Sequence, residues 1–205
     1  LSIENKIKKV KEADSAQSLL NAVKNLAASR DVAAIPTLIE VLGYNNPGAA
    51  VAAVDGLIEL GEVAVAPILS QLDSYNYGAR AWAVRAIAAI GDSRGLELLL
   101  DSAEHDFSLS VRRSAAKGLG NIIWEQFPVT EVLKIQKLVL DSLHKVEQDS
   151  EWVVRYAAVV SLESLAKTTQ YLLGKEILQH LQNRLDLEPD MTVRSRIKLV
   201  LERIS

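Results

Sequence analysis

The chain has 205 residues, 49% of them hydrophobic and 24% charged, with a formal net charge of −3 and no cysteine. That balance supports a buried core and argues against general nucleic-acid binding, which needs a basic excess to track phosphates. The absence of thiols excludes disulfides, thiolate metal sites and a cysteine nucleophile.

Aromatic residues make up only 5% of the chain, and abundant Ala and Leu favour helices. No apolar run approaches the roughly 18 residues of a membrane span, and the opening LSIENKIKKVKEAD lacks the apolar core of a signal peptide, so a cytosolic setting is expected. In chain order, apolar spacing and turn residues predict helices over residues 15–28, 32–42, 48–60, 63–73, 78–90, 93–104, 109–124, 130–147, 151–167, 171–186 and 191–204. Asn46-Pro47-Gly48 and Asn76-Tyr77-Gly78 punctuate loops before helices, while Gly61, Gly91 and Gly120 fall where a helix ends.

The helices repeat. Aligned on Leu26, Leu57, Ile87, Leu119, Leu162 and Leu201, six units follow at spacings of 31, 30, 32, 43 and 39 residues, and alanine stands four residues earlier at Ala22, Ala53, Ala83, Ala115 and Ala158. Units of this length, each a helical hairpin, predict an all-α fold: a right-handed α-α superhelix of HEAT-like repeats forming one domain over residues 1–205. Apolar Ile3, Ile7, Val10, Ile197, Val200 and Leu201 near the ends predict incomplete capping and pairing with another subunit.

Helical phase over NYGARAWAVRAIAAIGD places Ala79, Ala83, Ala86, Ile87 and Ile90 on one face, with Ala81, Arg85 and Ala88 opposite. Two charged rows follow from the repeat. Arg80, Arg112, Arg155 and Arg194 recur at one position, as expected of guanidinium groups that bridge repeats to turn carbonyls or to carboxylates such as Asp92 and Asp149. Lys24, Asp55, Arg85, Lys117 and Val160 form the second row, either a solvated face or a binding surface.

No GxSxG, Walker loop or HExxH is present. His105, His144 and His180 fall in different units without metal-ligand spacing, so surface or helix-end roles and no metal are expected. Tyr44, Asn45, Asn46, Tyr75, Asn76, Tyr77 and Trp82 form an aromatic and polar group near equivalent loops. They either fill gaps between repeats or offer a flat surface to a conjugated ligand. Trp124 and Trp152 read as packing residues.

The stretches AIPTLIEVLGYNNPGAAVAAVDGLIELG from Ala34 and NYGARAWAVRAIAAIGD to Asp92, continued by SVRRSAAKGLG from Ser110 to Gly120, resemble the HEAT-repeat phycobilin lyases of cyanobacteria and red algae, in their E/F-type branch. YNNPGAA and YNYGARAWA are the most specific parts. The resemblance implies an enzyme acting as a heterodimer with an E-type subunit, joining phycocyanobilin to a cysteine of apo-phycocyanin α through a thioether. The bilin is then substrate, and no cofactor is expected. An isomerising relative carries a His-Cys loop motif where this chain has Asn45 and Asn46, which implies attachment without isomerisation.

The alternative reading is a non-catalytic HEAT scaffold that binds phycobiliproteins in assembly or chromophore turnover. For the lyase, thiol addition to the bilin ethylidene is helped by protonating and restraining the tetrapyrrole. By residue type and helix face, Asp55 suits a catalytic carboxylate near the pyrrole N–H groups, and Arg85 and Lys117 suit the propionates. Tyr44, Asn45, Asn46, Tyr75, Asn76, Tyr77 and Trp82 complete the expected ligand surface.

Overall fold

The computed structural model describes residues 2–72, 77–169 and 171–204, with the backbone alone at 171 and 172. The helices are α1 (Ile3–Lys11), α2 (Ala16–Ala27), α3 (Ile35–Val41), α4 (Pro47–Leu60), α5 (Glu62–Leu69), α6 (Tyr77–Ile90), α7 (Leu96–His105), α8 (Leu109–Leu119), α9 (Val129–Val146), α10 (Trp152–Thr168), α11 (Tyr171–Leu187) and α12 (Met191–Ile204). No strand occurs among the described residues. They group into two compact units, Leu1–Gly95 and Leu96–Ser205.

In the first unit α4 is the central element, packing on α2, α3, α5 and α6. Four neighbours leave a helix little free surface. Ala49, Ala50, Ala52, Ala53, Val54, Gly56 and Leu57 are buried, and the open stripe carries Val51, Asp55 and Glu59. Asn46 starts α4 by accepting the Ala49 N–H at 3.0 Å, Pro47 fits the first turn, and Gly61 closes it at φ 68°. A Cβ on Gly56 would lie 2.6 Å from the Ala27 Cβ, so glycine permits the close approach of α2 and α4.

The same crowding changes one face of α6. Ala79, Ala83, Ala86 and Ile87 are buried as expected, but so is Ala88, because α4 and α5 both pack on this helix. Arg85 alone of the opposite group is exposed. Helix α5 stops at Leu69, short of the expected residue 73. Pro67 has no N–H for the Val63 carbonyl, and the Ser70 hydroxyl donates to the Pro67 carbonyl at 2.9 Å, turning the chain.

In the second unit α10 plays the central part, against α8, α9, α11 and α12. Helix α8 ends at Leu119 rather than near 124. Its last carbonyls are taken by α10: Ser161 Oγ donates to the Ala116 carbonyl at 2.7 Å and Ser164 Oγ to the Gly120 carbonyl at 2.5 Å. Trp124 then sits in a 3-10 turn, tilted on Phe127 at 6.1 Å, whereas Trp152, expected to pack, is 43% exposed at the first position of α10.

The arginine ladder spans repeats through hydrogen bonds. Arg112 meets the Asp149 carboxylate at 2.6 and 3.2 Å and the Asp106 carbonyl at 2.9 Å. Arg155 repeats this one unit on, with the buried Glu188 at 2.8 Å and the Asp149 carbonyl at 2.8 Å. Arg80 is half-buried and engaged. Asp92 is held by Arg94, at 2.7 and 2.8 Å. Arg194, on α12, is exposed and makes no ion pair with a described residue, since no described helix beyond α12 supplies a carboxylate.

The apolar residues near the ends divide, with Ile3, Ile7 and Leu201 left part-exposed. Val10, Ile197 and Val200 are buried within the chain, α1 lying on α2 and α12 on α10 and α11. Terminal helices have turned their apolar faces onto their own neighbours.

Candidate functional site: a groove along α2 and α4

The stripe left open on α4 forms one wall of a groove of ≈ 800 Å³ whose other wall is α2. Leu20, Val51 and Ala52 supply apolar lining, with Lys24 and Asp55 along it. The Arg30 and Glu59 side chains pair at 2.9 Å from opposite walls. Lys24 and Asp55 are exposed, and neither is committed to an ion pair with a described residue. The volume lies within the usual range of organic ligand sites, and the lining combines apolar area with few charges. This chemistry suits a flat, conjugated molecule carrying both N–H groups and carboxylates.

Arg85 occupies the register of Lys24 and Asp55 on α6, the next helix packed on α4. Its guanidinium carbon stands 5.5 Å from the centre of the Trp82 ring, a cation-π pair on the half-exposed indole. Tyr44 donates its hydroxyl to Glu40 at 2.7 Å. Burial, and then Glu40, push the phenol up to about 12, so it remains a neutral donor. Asn45 is exposed. Both ends of the Asn46 amide are in use, Oδ1 on the Ala49 N–H and Nδ2 on the Ala16 carbonyl at 3.0 Å, which ties the start of α4 to the start of α2. Tyr77 opens α6 and is 43% exposed. Tyr75 and Asn76 lie outside the described residues.

Lys117 belongs to the second unit, where it lines a smaller pocket of ≈ 220 Å³ with Ser161, Ser164, Lys167 and Arg196. The first unit thus brings Asp55 and Lys24 to one groove, whose lining includes none of Tyr44, Asn45 and Asn46, and holds Arg85 and Trp82 on the neighbouring helix. Arg30 was missing from the sequence reading because it lies beyond α2, turned toward the groove by a left-handed backbone at φ 50°. Lys24 was visible in the repeat register alone.

The histidines divide. His105 is exposed near the end of α7, 3.3 Å from Asp101, as expected. His144 and His180 do not act separately: their rings stack at 3.8 Å, and His180 Nε2 lies 2.6 Å from the buried Glu147 carboxylate. Burial, reinforced by His180, pushes the His144 imidazole below its ordinary range.

Stacked helical hairpins with buried alanine-rich central helices define a HEAT-repeat protein, and family models for HEAT repeats and for the PBS lyase HEAT-like repeat match residues 65–138 and 19–44. The chain is 52% identical over 98% of its length, and 94% of the relative's, to the phycocyanin alpha phycocyanobilin lyase CpcF of Synechocystis sp.. It is 48% identical over 91% of its length, and 92% of the relative's, to a phycocyanobilin lyase subunit beta of Nostoc sp.. The structure of the complex of CpcE and CpcF of phycocyanin lyase from Nostoc sp. PCC7120 contains a chain that superposes with TM-score 0.77 at 48% identity, covering 83% of this chain and 99% of that one. The chain belongs to the family of HEAT-repeat phycocyanobilin lyase subunits. Among the described residues no helix is long and apolar enough to cross a membrane.

Proposed function

We propose that this chain works as one subunit of a heterodimeric phycocyanobilin lyase, paired with an E-type subunit, and that the α2–α4 groove handles the bilin. The observation that carries the reading is end-to-end identity of 52% with a phycocyanobilin lyase. The reaction joins phycocyanobilin to a cysteine of apo-phycocyanin α. Sulfur forms the C–S bond to the ethylidene carbon while the π pair moves into the protonated tetrapyrrole. The net change is addition of S–H across a double bond, without leaving group or redox partner. The acceptor protein supplies the thiol, in keeping with a chain that has no cysteine.

In this reading phycocyanobilin is the substrate, no cofactor takes part, and the protein acts as a single domain in the cytosol beside the assembling phycobilisome. Asp55 accepts pyrrole N–H groups and stabilises the protonated bilin, and Lys24 and Arg85 pair with propionates. Trp82, Tyr44, Asn45 and Tyr77 border the ring system and Asn46 holds the loop in place, while Lys117 offers an anion contact in its own pocket of the second unit. Restraint of the flexible tetrapyrrole supplies proximity.

Reconstitution tests the reading. Purified chain, E-type subunit, apo-phycocyanin α and phycocyanobilin together should give a covalent adduct that survives denaturing electrophoresis, and omission of this chain should abolish it. Bilin or phycocyanin binding without attachment would instead support the scaffold reading.

A further inference from the structure

In the second unit, away from the groove, one ligand atom each from His144, Glu147 and His180 lie within 4.8 Å of one another. His144 lies in the last turn of α9 and Glu147 is its C-cap residue, three positions on and still near helical backbone angles, which sets both side chains on one side, and His180 reaches them from α11. We propose that these three residues form a binding site for a divalent transition cation of the zinc class, with one coordination position left for water.

Two unpartnered atoms support the assignment. His144 Nε2 and Glu147 Oε1 are both buried without a hydrogen-bond partner, and the Glu147 residue is 1% exposed. Buried polar atoms are nearly always satisfied, so an unmet lone pair on each of two adjacent ligand types asks for a partner. A cation answers both at once. Simple stacking of the imidazoles accounts for the 3.8 Å ring separation but leaves these two lone pairs unmet.

The donor set selects the ion. Two imidazoles and one carboxylate suit borderline cations, and a three-residue set with an open fourth position is a familiar zinc arrangement. Metal–ligand bonds of about 2.0–2.2 Å place tetrahedral donors about 3.3–3.6 Å apart. The donors here all lie within 4.8 Å of one another, and His180 Nε2, now 2.6 Å from a Glu147 oxygen, exchanges that hydrogen bond for the ion, changes within reach of small side-chain rotations. Glu147 is further held through its carbonyl, which accepts from Arg184 at 2.9 Å, so the α9–α11 junction already fixes the ligand backbone. The bound ion would tie α9 to α11.

The experiment uses tag-free, chelator-treated full chain dialysed against Zn²⁺, with elemental analysis of the protein and an X-ray absorption spectrum at the zinc edge. Saturable uptake of one ion per chain is expected, with a first shell of N and O donors at about 2.0–2.1 Å and outer-shell scattering from two imidazoles. H144Q and H180Q should each weaken binding at least 100-fold and E147Q at least 10-fold, whereas H105Q should bind as the wild type does. Zinc should raise the melting temperature of the wild type and leave that of H144Q unchanged. No saturable uptake by the wild type, a shell without imidazole scattering, or undiminished binding in both H144Q and H180Q would overturn the proposal. The wild-type absorption spectrum decides even where a variant fails to fold.

Discussion

Asp55 stands on a helix otherwise lined with alanine and valine, in a groove beside Lys24 and without an ion-pair partner among the described residues. An exposed, uncommitted carboxylate contributes little to folding, so D55N should change stability by no more than about 0.5 kcal/mol. The same change should slow thioether formation at least tenfold in a time course with the reconstituted heterodimer. Wild-type kinetics would remove Asp55 from the mechanism, and a collapsed melting curve would make it a packing residue. Arg112 is the opposite case: its guanidinium is largely covered and bonded to Asp149 and to two carbonyls. R112A should cost about 1.5–3 kcal/mol of stability in denaturant unfolding while the heterodimer's rate at a temperature where both proteins are folded stays within twofold. Glu188 adds a pH signature. Burial alone raises its carboxyl, but the hydrogen bonds from Arg155 and the Asp190 N–H, with the Arg155 and Arg184 charges, outweigh burial and hold it below the usual carboxylate range. Its folded pKa is therefore below the unfolded value of about 4.3, so its stabilisation is complete above that pH and is lost as pH falls through the folded value. Melting temperature should hold near neutrality and drop on acidification below about pH 4.5, and E188Q should start lower and fall less steeply.

Among the elements, the central helices owe their burial to having neighbours on four sides, as α4 and α10 do. Alanine and glycine allow that closeness. G56A would normally gain helix propensity, yet its Cβ would stand 2.6 Å from the Ala27 Cβ, which has no flexible end to move aside. The expected result is a net loss of about 1–3 kcal/mol, read by thermal or urea unfolding, together with weaker bilin binding, because the groove walls must part. Helix cores and the Asn46 and Gly61 boundaries were legible from spacing and capping chemistry. The ends of α5 and α8 were not: the Pro67 turn needed its Ser70 partner, and α8 stops where hydroxyls of α10, more than 40 residues away in sequence, take its last carbonyls.

At the scale of the whole molecule, Val10, Ile197 and Val200 are buried within the chain, while Ile3, Ile7 and Leu201 stay part-exposed. V10A should accordingly lower the stability of the isolated chain, by about 1–3 kcal/mol for a buried valine, and leave its affinity for the E-type subunit within threefold by analytical ultracentrifugation. A selective loss of pairing at unchanged stability would restore the terminal face as the interface.

The repeat, the all-helical fold and the two charged rows were all decided by the sequence, because a unit of fixed length returns each residue type to the same helical face. YNNPGAA and YNYGARAWA carried the family as well. Which members of a row share a surface was decided only in three dimensions: Asp55 and Lys24 line one groove between α2 and α4, whereas Lys117 stands in the other unit. The same holds for His144, Glu147 and His180, since the imidazoles lie on α9 and α11, with the whole of α10 between them in sequence. Periodicity records which way a side chain faces along its own helix. Contact between helices depends on packing distance and on the bonds at their ends, which no local pattern contains.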